Sequence, residues 1–113
     1  MTKGQEMFQA RQGDVLIQQI DGLPPDARRV AINGDRIILV RGEATGHHHS
    51  VAAEHAVFYM SPQQQEADAG LLVLDCPNEL LHQEHGGIAI PAGIYRVTRQ
   101  REYSPEAIRN VAD

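Results

Sequence analysis

Every apolar run in this chain is short, and almost every one is closed by glycine, proline or asparagine. Val15-Leu16-Ile17, Ile37-Ile38-Leu39-Val40, Val57-Phe58-Tyr59-Met60, Leu71-Leu72-Val73-Leu74 and Ile88-Ala89-Ile90 are separated by turn-forming segments such as Asp21-Gly22-Leu23-Pro24-Pro25 and Pro91-Ala92-Gly93. No segment sustains a helical period. Short strand-like runs between such breakers indicate an all-β domain, a small antiparallel barrel or sandwich. With 113 residues there is room for one hydrophobic core. Residues 1–11 are polar and patternless and read as a mobile N-terminal tail, leaving 12–113 as the single domain. At the other end Ser104-Pro105-Glu106 resembles a helix start, with serine as cap and proline at the first helical position. A short C-terminal helix carrying Ile108 and Val111 is therefore expected.

Local patterns give specific pairings. Asn33-Gly34 lies between Arg28–Ile32 and Arg36–Val40, and an Asn-Gly pair suits a two-residue type I′ turn, so a tight hairpin is expected there. The Ile37–Val40 run is apolar on both faces, which suggests a central strand. Gly42 and Gly46 suggest a bend or bulge before the next strand. Gly86-Gly87 suggests a second tight hairpin, with the preceding Leu80–His85 running into it as a strand. Gln12-Gly13-Asp14 reads as a turn.

Charge and cysteine content narrow the function. The formal charge is −5, and Lys3 is the sole lysine, so the phosphate-neutralising surface of a nucleic-acid binder is not expected. Arg96, Arg99 and Arg101 read as a solvated strand face, with a small anionic ligand as the other reading. Cys76 is the only cysteine. No internal disulfide can form, a buried structural thiol is expected, and a reducing compartment fits. The N-terminus lacks an apolar core of the secretory type, and no apolar run approaches the ~20 residues of a membrane span. A cytoplasmic location, away from membranes, is the expectation.

The histidines carry the chemistry. His47, His48 and His49 form one cluster, and His82 and His85 another. If both segments are strands, alternation puts His47 and His49 on one face, and His82 with Glu84 on another common face. Should the two segments be neighbours, His47, His49, His82 and Glu84 would converge, with His85 as the rival for the fourth place. Three imidazoles and a carboxylate suit a divalent transition metal: zinc, iron, manganese, nickel or copper. Glu43 and Glu84 are the carboxylates nearest the histidines and the candidate general bases beside a metal-bound water. His55, after Glu54, reads as a surface residue or a supporting one. Tyr95, alternating with Val97, reads as core.

His47-x-His49 after a glycine-containing approach, together with Ile90-Pro91-Ala92-Gly93, resembles the cupins, small barrels with a His-x-His pair on one strand. The resemblance spans Gly42 to Gly93. It implies His47 and His49 as paired ligands, His82 as the later histidine, and Glu54 near the carboxylate position, although here the later histidine precedes the Pro-Ala-Gly turn. The segments Gly-Glu-x-Thr-Gly-His and Leu-x-His-x-Glu-His are also similar to those of small bacterial proteins to which no activity is attached. Two functions are thus expected to compete. One is a metal-binding β-barrel acting on a small-molecule substrate. The other is a non-catalytic module that assembles, with itself or a partner, through strand edges. A metal-free acid–base enzyme using the same histidines is a third.

Overall fold

A computed structural model describes residues 7–32, 34–41, 48–61 and 70–99, and these form ten strands and no helix. The strands are β1 (Gln9–Gln12), β2 (Val15–Ile20), β3 (Arg28–Arg29), β4 (Arg36–Arg41), β5 (His48–Ala52), β6 (Ala56–Met60), β7 (Leu71–Leu74), β8 (Asn78–Leu80), β9 (Ile88–Ile90) and β10 (Gly93–Arg99). All pairings are antiparallel. The all-β expectation therefore holds among the described residues. A closed barrel does not form among the described residues: the six-stranded sheet runs β1-β2-β10-β7-β6-β3, and its ends are open edges. Two smaller sheets, β4-β5 and β8-β9, complete the fold. The expected C-terminal helix lies outside the described residues, and no described helix is long and apolar enough to cross a membrane.

Strand alternation builds the core. On β2, Val15 and Ile17 are buried, and on β10, opposite, Tyr95 and Val97 are buried while Arg96 is exposed. These residues join Leu72, Leu74, Phe58, Ile37, Val51, Leu80 and Ile90 in one cluster that draws on all three sheets. Tyr95 is core, as its alternation with Val97 predicts, and its hydroxyl donates to the Pro91 carbonyl at 2.6 Å. That satisfies the one polar atom of an otherwise apolar ring.

Several local expectations are corrected. Residues 9–11 of the segment read as a tail belong to β1, which pairs in register with β2, while residues 1–6 lie outside the described residues. The Asn-Gly hairpin does not form. Arg28–Arg29 pairs with β6, and the Val30 N–H donates to the Phe58 carbonyl, while β4 pairs with β5. Half-buried Val30 and Ile32 thereby pack on the core, which a tight two-residue turn into β4 would not allow. β4 is apolar on both faces, yet it pairs with one strand only, in the two-stranded sheet. A register shift between Ile38 and Val40 leaves Leu39 bulged and still buried. β8 and β9 do form a hairpin, but residues 81–87 make its loop, so His82 and His85 lie on a loop rather than a strand. Cys76 is exposed at the turn after β7, not buried.

Leu72 is fully buried on β7 between β6 and β10. Leu72→Ala is expected to cost about 2–5 kcal/mol in urea unfolding. Met60→Ala, at an exposed strand end, should cost less than about 1 kcal/mol.

Candidate functional site

The site is assembled from three segments that are remote in sequence. The first is the β1–β2 turn, Gly13-Asp14. Gly13 has φ +59°, the left-handed first position of a type II′ turn, which glycine adopts without penalty. A Cβ here would lie 2.7 Å from Nε2 of His85 and 3.4 Å from Cε1 of His49. Glycine is therefore what lets the imidazoles approach the turn. The second segment is β5, where His49 shares the buried face with Val51 and is 3% exposed, while His48 and Ser50 take the other face. The third is the loop after β8. Leu81 pairs with Ser50 through reciprocal backbone bonds of 2.9 and 3.0 Å, and this carries His82 alongside β5.

Beyond Leu81 the loop curls on itself. His82 Nδ1 accepts hydrogen bonds from the N–H groups of Glu84 at 3.0 Å and of His85 at 3.3 Å. This brings the His82 and His85 rings to 4.5 Å between centroids, and His49 stands 4.4 Å from His82 and 6.2 Å from His85. The expected face shared by His82 and Glu84 does not exist, because period-2 alternation has no meaning in a turn. Glu84 is exposed, and its backbone closes the turn. His85 is the residue brought next to His82. His47 and Glu43, the other sequence candidates, lie outside the described residues. His55, at φ 61° in the β5–β6 turn, is exposed beside Glu54, and neither contributes to this cluster.

Gln12 sets the chemistry of His49. The Gln12 side-chain nitrogen donates to the carbonyls of Leu80 at 3.0 Å and Gly86 at 2.8 Å. Carbonyls only accept, so this end of the amide must be NH₂, and Oε1 is left facing His49 Nδ1 at 2.8 Å. His49 Nδ1 therefore carries the proton, and Nε2 carries the lone pair. Burial, reinforced by the charge of His82 and opposed by Asp14, pulls the His49 pKa down to about 4. The ring is neutral at pH 7.

Facing that lone pair, 3.4 Å from Nε2, is Oδ1 of Asp14. Its other oxygen accepts from Arg99 Nε at 2.9 Å. Partial burial works to raise the Asp14 pKa, but the Arg99 hydrogen bond, a backbone hydrogen bond at Asp14 and the Arg99 charge together outweigh it and hold the carboxyl below its ordinary value. Arg99, read as solvated, is thus drawn in: β10 pairs it with Val15, one residue from Asp14. Two electron-pair donors, a neutral imidazole nitrogen and a carboxylate oxygen, meet with no proton between them.

Among the described residues, no group of three or more His, Cys, Asp or Glu side chains could hold a metal ion as it stands. With Nδ1 accepting from two amides, a neutral His82 carries its proton on Nε2 and presents a donor there.

Gln12 and Asp14 bear no motif that marks them as site residues; Gln12-Gly13-Asp14 reads simply as a turn. The available signal is a glycine turn flanked by an amide and a carboxylate, Gln12-Gly13-Asp14, at the head of the β1–β2 hairpin. Residues 11–100 match the profile of a family described as Domain of unknown function (DUF8820), and the chain belongs to that family. No curated protein and no solved structure is significantly similar to it.

The depressed pKa of His49 gives a pH dependence with a definite sign. The unfolded chain takes up a proton on this ring near pH 6.5, the folded one only near 4. The contribution is therefore complete above about 6.5 and is lost as pH falls from there toward 4. For chelator-treated protein, the loss is expected to be on the order of 3 kcal/mol relative to a His49→Gln variant. Urea midpoints of both proteins at pH 7.5 and 4.5 measure the difference.

Proposed function

We propose that this domain binds a divalent transition metal at His49 and Asp14, with His85 and His82 completing the set, and handles a small molecule there. One observation carries the reading: the facing pair of His49 Nε2 and Asp14 Oδ1. Metal–nitrogen and metal–oxygen bonds of about 2.0–2.2 Å at a tetrahedral angle leave about 3.4 Å between the two ligand atoms. The separation here is 3.4 Å. Two lone-pair atoms placed so, without a shared proton, repel each other unless a cation lies between them.

The surroundings support this reading. Ligating histidines donate their other N–H to an oxygen acceptor that fixes tautomer and ring orientation, which is the relation of His49 to Gln12. Arg99 plays the corresponding part for Asp14 by occupying its second oxygen. His85 is exposed and next to the Gly13 turn, so it can adjust toward the pair. His82 would join only by turning its ring away from the Glu84 and His85 amides, a rearrangement of an off-strand side chain. Imidazole with carboxylate suits zinc, iron, manganese and nickel. Bound there, such an ion would supply Lewis acidity, lowering the pKa of a coordinated water or polarising a substrate oxygen. Glu84, on the exposed loop beside the histidines, is the nearby candidate for accepting a proton.

Calorimetric titration of untagged, chelator-stripped protein with zinc, ferrous iron, manganese or nickel tests this. One equivalent is expected to bind, more than 100-fold more weakly in Asp14→Ala and His49→Ala. Loss of the orienting amide in Gln12→Ala should weaken binding about 10–100-fold, while His55→Ala should leave it unchanged. Absence of stoichiometric binding of all four ions, or wild-type affinity in Asp14→Ala and His49→Ala, would contradict the proposal.

A further inference from the structure

On the outer face of β5, next to the histidine cluster, lies an open groove of about 250 Å³ lined by Arg36, His48, Ser50, Leu81, His82 and Gln83. It is close to the lower end of the size range of small-ligand pockets. Its walls come from β4, β5 and the loop after β8, fastened together by the Ser50–Leu81 backbone pair. Arg36 is the only formally charged residue among them. Its guanidinium is braced on one edge: Nε donates to Ser50 Oγ at 2.8 Å and Nη2 to the Ser50 carbonyl at 3.1 Å. Those two bonds fix the plane of the group and leave the Nη1 side for another acceptor. The ion pairs among the described residues involve Asp14 and Glu54, and none engages Arg36.

We infer that this groove is a seat for a small carboxylate ligand, gripped by Arg36 and lying against His82 at the edge of the proposed metal site. The donor chemistry selects an anion. A planar guanidinium matches a carboxylate with two parallel N–H bonds. Gln83 adds to the polar wall: its Oε1 accepts from the His48 N–H at 2.8 Å, and its amide nitrogen lies 3.5 Å from His48 Nε2. A single guanidinium suits one carboxylate better than a phosphate, whose higher charge calls for more than one cation. Leu81, 38% exposed, offers an apolar surface for the ligand's carbon skeleton. Arg36 also borders a recess formed by Val30, Ile32, Ile37 and Phe58. Ser50, which braces the guanidinium, lines the groove and not that recess.

The side of this ligand turned toward His82 as the reacting end rests on the metal-site reading; the Arg36 seat does not. The test is therefore run on chelator-stripped protein, with succinate as probe and succinamide and inorganic phosphate as comparators, following the ¹⁵N–¹H signals of Ser50, Leu81 and Gln83. Saturable shifts at these amides are expected with succinate at millimolar concentration, at least tenfold weaker with either comparator. Arg36→Gln should weaken succinate binding at least tenfold. Gln83→Glu provides a second variant that leaves the Arg36–Ser50 bonds alone and keeps an acceptor for the His48 N–H, while placing a negative charge in the groove. It too should lose at least tenfold. Equal binding of succinamide, tighter binding of phosphate, or wild-type binding in Gln83→Glu would overturn the assignment. Succinate binding in a protein that takes up no metal would leave this seat standing and remove only the metal reading.

Discussion

A single buried amide holds the candidate site together. Gln12 is 2% exposed and makes three hydrogen bonds from one side chain: to Leu80, to Gly86 and with His49. It thus joins the end of β1 to both ends of the loop after β8 and to the inward face of β5. Removing it would strand the Leu80 carbonyl and the His49 imidazole N–H away from water, and buried polar groups without partners cost about 1–3 kcal/mol each. The same bonds that tie the segments also dictate which His49 nitrogen bears the proton. Structure and chemistry are set here by one residue.

From that choice the electrostatics follow. A neutral His49 presents its lone pair to a carboxylate that Arg99 keeps ionised, so electron-pair donors accumulate on the inner face of β5. The outer face of the same strand carries the opposite character, with the Arg36 guanidinium braced by Ser50. Alternation along β5 therefore separates a cation-seeking side from an anion-seeking one within a single strand. His82 touches both. It reaches His49 on one side and lines the Arg36 groove on the other, because the Ser50–Leu81 pair delivers the loop to the strand at that point.

How much of this is legible in the sequence depends on the range of the interaction. Strand-length apolar runs between breakers define an all-β chain, and Val15–Ile20, Leu71–Leu74 and the segment ending at Arg99 are strands as their patterns predict. Pairing partners are less legible. Asn33-Gly34 carries a strong local turn signal, yet the flanking segments pair with β6 and β5, where Val30, Ile32 and Ile37 reach the common core. Local turn chemistry yields to burial. His49, His82 and His85 are conspicuous in the sequence, and the fold gathers them. Strand periodicity nevertheless groups the wrong residues, pairing His82 with Glu84, because the segment is a loop curled by His82's own ring. Gln12, Asp14 and Arg99 are ordinary polar residues in isolation. They gain a role only through the β1–β2 turn and the β2–β10 register, which no short window contains.

The central claim is the tautomer of one histidine, and long-range ¹H–¹⁵N correlation of the imidazole nitrogens of metal-free protein at pH 7 reads it directly. The account predicts a protonated Nδ1 and an unprotonated Nε2 for His49, with Nε2 becoming protonated at its former pattern's expense only when Gln12 is replaced by alanine. A wild-type His49 with its proton on Nε2, or a doubly protonated ring at that pH, would contradict it.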